Sequence, residues 1–207
     1  MNDANQMVFL IDDEPSVLKA LARVIGATGF RTASFSSPQS FLEQYEPAAR
    51  GCMVLDVSMP GFSGLELQQA LIQKDCSLPI VFLTGRGDIP TTVRAMKHGA
   101  VDFLTKPVDD NDLIAAVDRA LDREAKDHVR RSQLAELQMR LSTLTSREQE
   151  VLGHVIAGRL NKQIAAVLGT TEKTVKVHRA RVMEKMQAQS LAELVRLSGT
   201  AGLSPTP

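Results

Sequence analysis

With 207 residues, 43% of them hydrophobic, the chain has the composition of an ordinary soluble globular protein, long enough for one large domain or two small ones. No run approaches the roughly 18 apolar residues of a membrane span, which excludes an integral helical membrane protein. The net charge of zero conceals a division, because residues 1–122 carry 10 Lys and Arg against 16 Asp and Glu while residues 143–207 carry 9 against 5, the pattern of two domains with different partners, the basic one suited to a polyanion.

The first apolar run, Met7-Val8-Phe9-Leu10-Ile11, is cut short by Asp12, so it is not a secretory signal and the protein is expected in the cytoplasm. It reads as the first of five strands, the others being Thr32–Phe35, Cys52–Leu55, Ile80–Leu83 and Val101–Leu104. Helical spacing lies between them. Val17, Leu18, Leu21, Val24 and Ile25 form one stripe, Leu65, Leu67, Leu71 and Ile72 a second after the Gly64 turn, and Leu113, Ile114, Val117 and Leu121 a third. The segment Pro90–His98 is more polar, with Pro90 suited to a first helical turn. Strands alternating with helices predict a doubly wound α/β fold on a parallel sheet over residues 1–122. Cys52 and Cys76 lack metal-ligand spacing and read as two buried thiols, not a disulfide.

The residues that end each strand carry the chemistry. The first strand runs into Asp12-Asp13-Glu14, the third into Asp56-Val57-Ser58-Met59-Pro60-Gly61, the fourth into Thr84-Gly85 and the fifth into Lys106-Pro107. A parallel sheet places all of these ends on one edge, where ligands bind in open α/β folds. Clustered carboxylates call for a raised pKa or a bound cation, and oxygen ligands combined with phosphate chemistry favour Mg²⁺. Asp56 is the candidate nucleophile for a phosphoryl group, Lys106 its neutralising charge, and Thr84 a donor to one of its oxygens.

These motifs, in this order, resemble the receiver domain of two-component response regulators. The resemblance implies a flavodoxin-like sheet of order 2-1-3-4-5, with Asp56 as phospho-acceptor. It also implies Mg²⁺ bound by Asp13, Asp56 and the Ser58 carbonyl, with Asp12 acting through water. Thr84 and Phe103 would be a switch pair, and the Lys106–Pro107 bond would be cis. Val108 departs from the Phe that often follows Lys-Pro in such domains. Asp102 and His98 read as solvated or capping groups. A phosphohydrolase of the haloacid-dehalogenase type would also use an Asp, a Thr, a Lys and Mg²⁺. It needs a second Asp two residues after the nucleophile, where this chain has Ser58.

Residues 123–142 are charged and uninterrupted by Pro or Gly, and Leu134, Leu137, Leu141 and, just beyond them, Leu144 stand at spacings that fit a narrow seam. They predict a helical linker. Beyond it, Thr145 with Glu148 forms a capping box ahead of Val151, Leu152, Val155 and Ile156, and Gly158 closes that helix. A second helix fits Asn161–Leu168, and Thr170 or Thr171 caps a third that runs to Lys185. Two short helices around a Gly-containing turn suggest a helix-turn-helix within residues 143–207.

Leu144–Leu152, Asn161–Ala165 and Thr174–His178 resemble the LuxR/NarL/FixJ-type DNA-binding domain. That resemblance implies that the third helix enters the major groove. Lys176 and Val177 would face base edges, Lys173 and Thr174 would lie beside them, and Arg179 or Arg181 would take over where some relatives carry Lys in place of Ala180. The last helix, Ser190–Leu197, would supply a dimer contact. Together the two halves resemble a FixJ-like response regulator. This implies a non-enzymatic, phosphorylation-switched transcription factor, an activator, with a histidine kinase, an operator duplex and RNA polymerase as partners. Its phosphorylated form would be a homodimer whose receivers meet through a face containing Val93 and Lys97. A constitutive DNA binder or adaptor is the remaining alternative.

Overall fold

Side chains that alternate along each strand build two apolar layers, one on either face of a single sheet. The computed structural model describes residues 6–46, 49–74, 76–85 and 89–206. Strands β1 (Gln6–Ile11), β2 (Arg31–Phe35), β3 (Arg50–Asp56), β4 (Ile80–Thr84) and β5 (Asp102–Thr105) are all parallel, in the order β2-β1-β3-β4-β5. On one face Val8, Leu10, Cys52, Val54, Val81 and Leu83 meet Leu18, Leu21 and Ile25 of α1 (Pro15–Ala27) and Leu113, Ala116 and Val117 of α5 (Asp110–Ser142). On the other, Phe9, Ile11, Met53, Leu55 and Phe82 meet Phe41 of α2 (Pro38–Gln44), Leu67 and Leu71 of α3 (Gly64–Gln73), and Ala95 of α4 (Ile89–Lys97). Burial on both faces explains why the central strands read as unbroken apolar runs. The fold class and strand order agree with expectation.

One glycine is fixed by this packing. A Cβ on Gly51, at the start of β3, would lie 1.8 Å from the Met7 carbonyl oxygen of β1, so no larger residue fits there. Nearby, at the sheet edge opposite the strand-end acids, Glu124 of α5 is buried. It accepts from Gln6 Nε2 at 2.9 Å and pairs with Arg50 through Nε and Nη2, both at 3.2 Å. The pair gives the buried carboxylate the partners that burial demands. Cys52 is fully buried, and its burial pushes the thiol far above the usual range. Cys76 is only half-buried, with its thiol donating to the Tyr45 hydroxyl at 3.1 Å, and both cysteines are free.

The chain forms two compact units, Met1–Asp127 and His128–Pro207. Residues 123–142, expected as a helical linker, are helical and form the later part of α5, which runs without a break from Asp110 to Ser142. In the second unit Leu137, Leu144, Val151, Val155, Ile164, Val175, Val182, Met186 and Leu194 make one core. They come from the last turns of α5, α6 (Ser146–Ile156), α7 (Asn161–Val167), α8 (Glu172–Lys185) and α9 (Leu191–Thr200), with Leu144 in the turn between α5 and α6 and Met186 capping the end of α8. The caps are as the sequence suggests. Thr145 Oγ1 accepts from Glu148 N at 3.3 Å while Glu148 Oε2 accepts from Thr145 N at 2.9 Å, and Thr171 Oγ1 accepts from Thr174 N at 3.1 Å. Gly158 and Gly169, with φ of 77° and 60°, follow α6 and α7 in the left-handed region that glycine tolerates. No helix among the described residues is long and apolar enough to cross a membrane.

Candidate functional site

The carboxyl ends of β1, β3 and β4 and the turn after β5 converge on one charged cluster. Asp12 directly follows β1 and is 1% exposed, and Asp56 is the last residue of β3 and is 3% exposed. Two carboxylates so deeply buried need a cation. Lys106 supplies it, with Nζ 2.6 Å from Asp12 Oδ2 and 2.9 Å from Asp56 Oδ1. Partial burial disfavours the ammonium, but its bonds to Asp12 and Asp56 outweigh that cost and raise the lysine above its usual range.

Backbone geometry aims these groups. Glu14 N donates to Asp12 Oδ1 at 2.9 Å, and Ser58 N donates to Asp56 Oδ2 at 3.0 Å, so each acid is turned by the chain just beyond it. Lys106 N donates to the Thr84 carbonyl at 2.7 Å, and the Lys106–Pro107 bond is cis. Gly64 N donates to Val57 O at 3.1 Å, and a Cβ on Gly64 would lie 2.2 Å from the Asp56 carbonyl oxygen. Gly64 is therefore a site residue that turn chemistry alone does not reveal. Its lack of a side chain lets α3 begin against the end of β3.

Thr84 is fully buried at the end of β4. Phe103 is half-buried, with its ring 6.1 Å from that of Phe82. Asp13 and Ser58 are exposed beside the two buried acids. Among the described residues no three His, Cys, Asp or Glu side chains are grouped to hold a metal. The donor chemistry nevertheless suits a hard dication: oxygen ligands, two of them buried carboxylates, with a third acid adjacent. Val108 is half-buried beside a groove of about 480 Å³ between α1 and α5. Asp102 is partly exposed, and its carboxylate accepts from Phe103 N at 2.8 Å and from Arg119 of α5. Val93 and Lys97 both lie exposed on α4, with Ile89 and Met96 extending an uncovered apolar stripe.

In the second unit α8 presents Lys173, Lys176, Val177 and Arg181 to solvent, and Thr174 and Arg179 are half-buried. Val175, Val182 and Met186 form the inward face. The end of α8 is anchored: Lys185 Nζ lies 2.6 Å from Glu148 Oε2 and donates to Thr143 O at 2.9 Å. Lys185 and the Thr145 N–H hold the Glu148 carboxyl down to about 2. Arg140, in the last turns of α5, donates to Met186 O at 3.2 Å. These partners lie far apart in sequence, so no local signal marks them.

Two family models match. The response regulator receiver domain covers residues 8–118, and the luxR family of bacterial regulatory proteins covers residues 142–198. Nodulation protein W of Bradyrhizobium diazoefficiens is 44% identical over 198 residues, which span 96% of this chain and 87% of that protein. Transcriptional regulatory protein FixJ of Azorhizobium caulinodans is 43% identical over 96% of this chain and 94% of its own length. The solved structure of response regulator StyR matches with a TM-score of 0.86 at 45% identity, covering 95% of this chain and 99% of that one.

Proposed function

From the premise that this chain belongs to the response regulators that join a receiver to a LuxR-type DNA-binding domain, a family of regulators and not of enzymes, we propose that phosphorylation of Asp56 controls its binding to DNA. The observation that carries the reading is the Lys106 ammonium held between Asp12 and Asp56 at the sheet edge. A carboxylate oxygen of Asp56 attacks the phosphorus of a phosphohistidine on a histidine kinase. The phosphorus–nitrogen bond breaks, the imidazole keeps the electron pair, and an acyl phosphate forms.

Each neighbour has a stated part. Lys106 already stands where the added negative charge arrives, so no charge has to be moved into the site during transfer. The Ser58 N–H steadies the second Asp56 oxygen. Asp12, Asp13, Asp56 and the Ser58 carbonyl are the groups that would hold Mg²⁺, as receiver domains do. Bound there, the ion would offset the charge gathered by the acids and the phosphoryl oxygens. Thr84, buried at the strand end, turns its hydroxyl to the phosphate. Phe103, half-buried against Phe82, moves inward behind it.

That inward movement reshapes the face of α4, β5 and α5, and two receivers then meet there. Val93 and Lys97 belong to that interface, whose apolar stripe is uncovered in the single chain. Pairing brings two second units to adjacent half-sites. Lys173, Thr174, Lys176, Val177, Arg179 and Arg181 of α8 face the duplex, with Val177 against a thymine methyl. The protein then acts in the cytoplasm as an activator that engages RNA polymerase. Incubation with a small phosphodonor and Mg²⁺, followed by intact-mass measurement, is expected to add one phosphoryl group to wild type and none to Asp56→Ala. Unchanged uptake in the variant would refute the assignment, and steady release of phosphate with turnover would favour a phosphohydrolase.

A further inference from the structure

Resting on that DNA-binding reading, we propose that Asn161 is a positioning residue that holds Arg179 against a backbone phosphate, so that Arg179 does not read a base. Arg179 Nη1 donates to Asn161 Oδ1 at 3.2 Å, a bond that joins α8 to the first residue of α7. Both side chains are half-buried, whereas Lys173, Lys176, Val177, Ala180 and Arg181 are exposed.

The period of the helix explains the difference. At 3.6 residues per turn, Lys176, Val177 and Ala180 share the outward face of α8. Arg179 falls on its flank, next to the inward stripe of Val175, Val182 and Met186. A recognition helix seated in a major groove shows its outward face to the base edges and its flank to the groove wall, where the phosphates run. A guanidinium donates several N–H groups in a fixed plane, and Asn161 engages only one of its terminal nitrogens. The others remain for the two oxygens of one phosphate, the planar match for which arginine is suited. Holding the long side chain in place before contact removes most of the ordering cost that a free arginine bears on binding.

The test is a double-mutant cycle in the full-length chain, phosphorylated by a small donor. The probes are a duplex selected by the wild type from a random pool and single-base variants of it. Asn161→Ala is expected to weaken binding by roughly two- to tenfold, the range that ordering one long side chain spans. In the Arg179→Ala background the same change should have no further effect. Arg179→Ala should weaken all duplex variants alike and lower the slope of log affinity against log salt by about 0.9, the value for one phosphate contact. Thermal melts keep loss of folding apart from loss of contact. An Asn161→Ala effect of equal size in both backgrounds would overturn the positioning role. An Arg179→Ala effect confined to one base position, with the salt slope unchanged, would overturn the phosphate contact. A wild type that selects no duplex would fail one step earlier and overturn the DNA-binding reading itself.

Discussion

The two units place their charged groups by opposite means. In the first, backbone topology does the work: the strands are parallel, so residues 12, 56 and 84 and the turn carrying Lys106 reach one edge whatever their side chains are. In the second, one helix carries cations around much of its circumference, and side-chain partners decide which are held in place. Arg179 and Lys185 are engaged by Asn161 and Glu148, whereas Lys173, Lys176 and Arg181 are exposed. The first arrangement yields a buried, preorganised cluster of charge. The second yields a solvated surface in which each contact adds modestly.

Substitutions should separate the two in size. Lys106→Ala removes the only cation bonded to both buried acids among the described residues. Phosphorylation by a small donor is expected to fall at least about 100-fold, the cost of deleting one preorganised charge. Time-resolved intact-mass measurement reads this directly, and a rate within a few-fold of wild type would break the distinction drawn above. Next comes Ile164→Ala, which opens a cavity in the core of the second unit and should cost about 2–5 kcal/mol there. Denaturant melts should show the second unit weakened and DNA binding lost, with phosphoryl uptake by the first unit unchanged.

A smaller effect concerns acid. The Glu148 carboxyl is held at about 2 against an ordinary 4.5, so the folded second unit binds this proton less readily than the unfolded chain does. The stabilisation is complete above about pH 4.5 and is lost as pH falls through about 2. Glu148→Gln should reduce stability at neutral pH and flatten its slope across that window, measured by melts over a pH series. The smallest expected change is Lys173→Ala, which removes an exposed cation in the first turn of α8 that is expected to meet a phosphate. It should lower the salt slope of DNA binding by about 0.9 without altering sequence preference.

The contrast also governs what could be read from the sequence. Strand ends are legible because an apolar run followed by Asp, Thr or Lys is a local signal, and the sheet brings those signals together. The caps at Thr145 and Thr171 are legible for the same reason, since three residues suffice to define them. Long-range partners are not. Glu124 reads as part of a charged linker, yet it is buried because Gln6 and Arg50 meet it from strands more than 70 residues away. Asp102 reads as a solvated or capping group, and only the packing of α5 on β5 shows Arg119 as its partner. Gly64 reads as a turn residue, and only the folded chain shows that its missing side chain makes room for the Asp56 carbonyl. On α8, composition reports an excess of cations, while their division between outward face and flank depends on which side packs against α7.

The central claim is that the buried acid governs the exposed helix. Its most direct test is DNA binding and sedimentation of the full-length chain, with and without a small phosphodonor and Mg²⁺, on wild type and Asp56→Ala. The account predicts that the donor yields dimers and tighter binding to the selected duplex in wild type alone. Equal binding by both proteins, whatever the donor, would contradict it and identify a constitutive DNA binder.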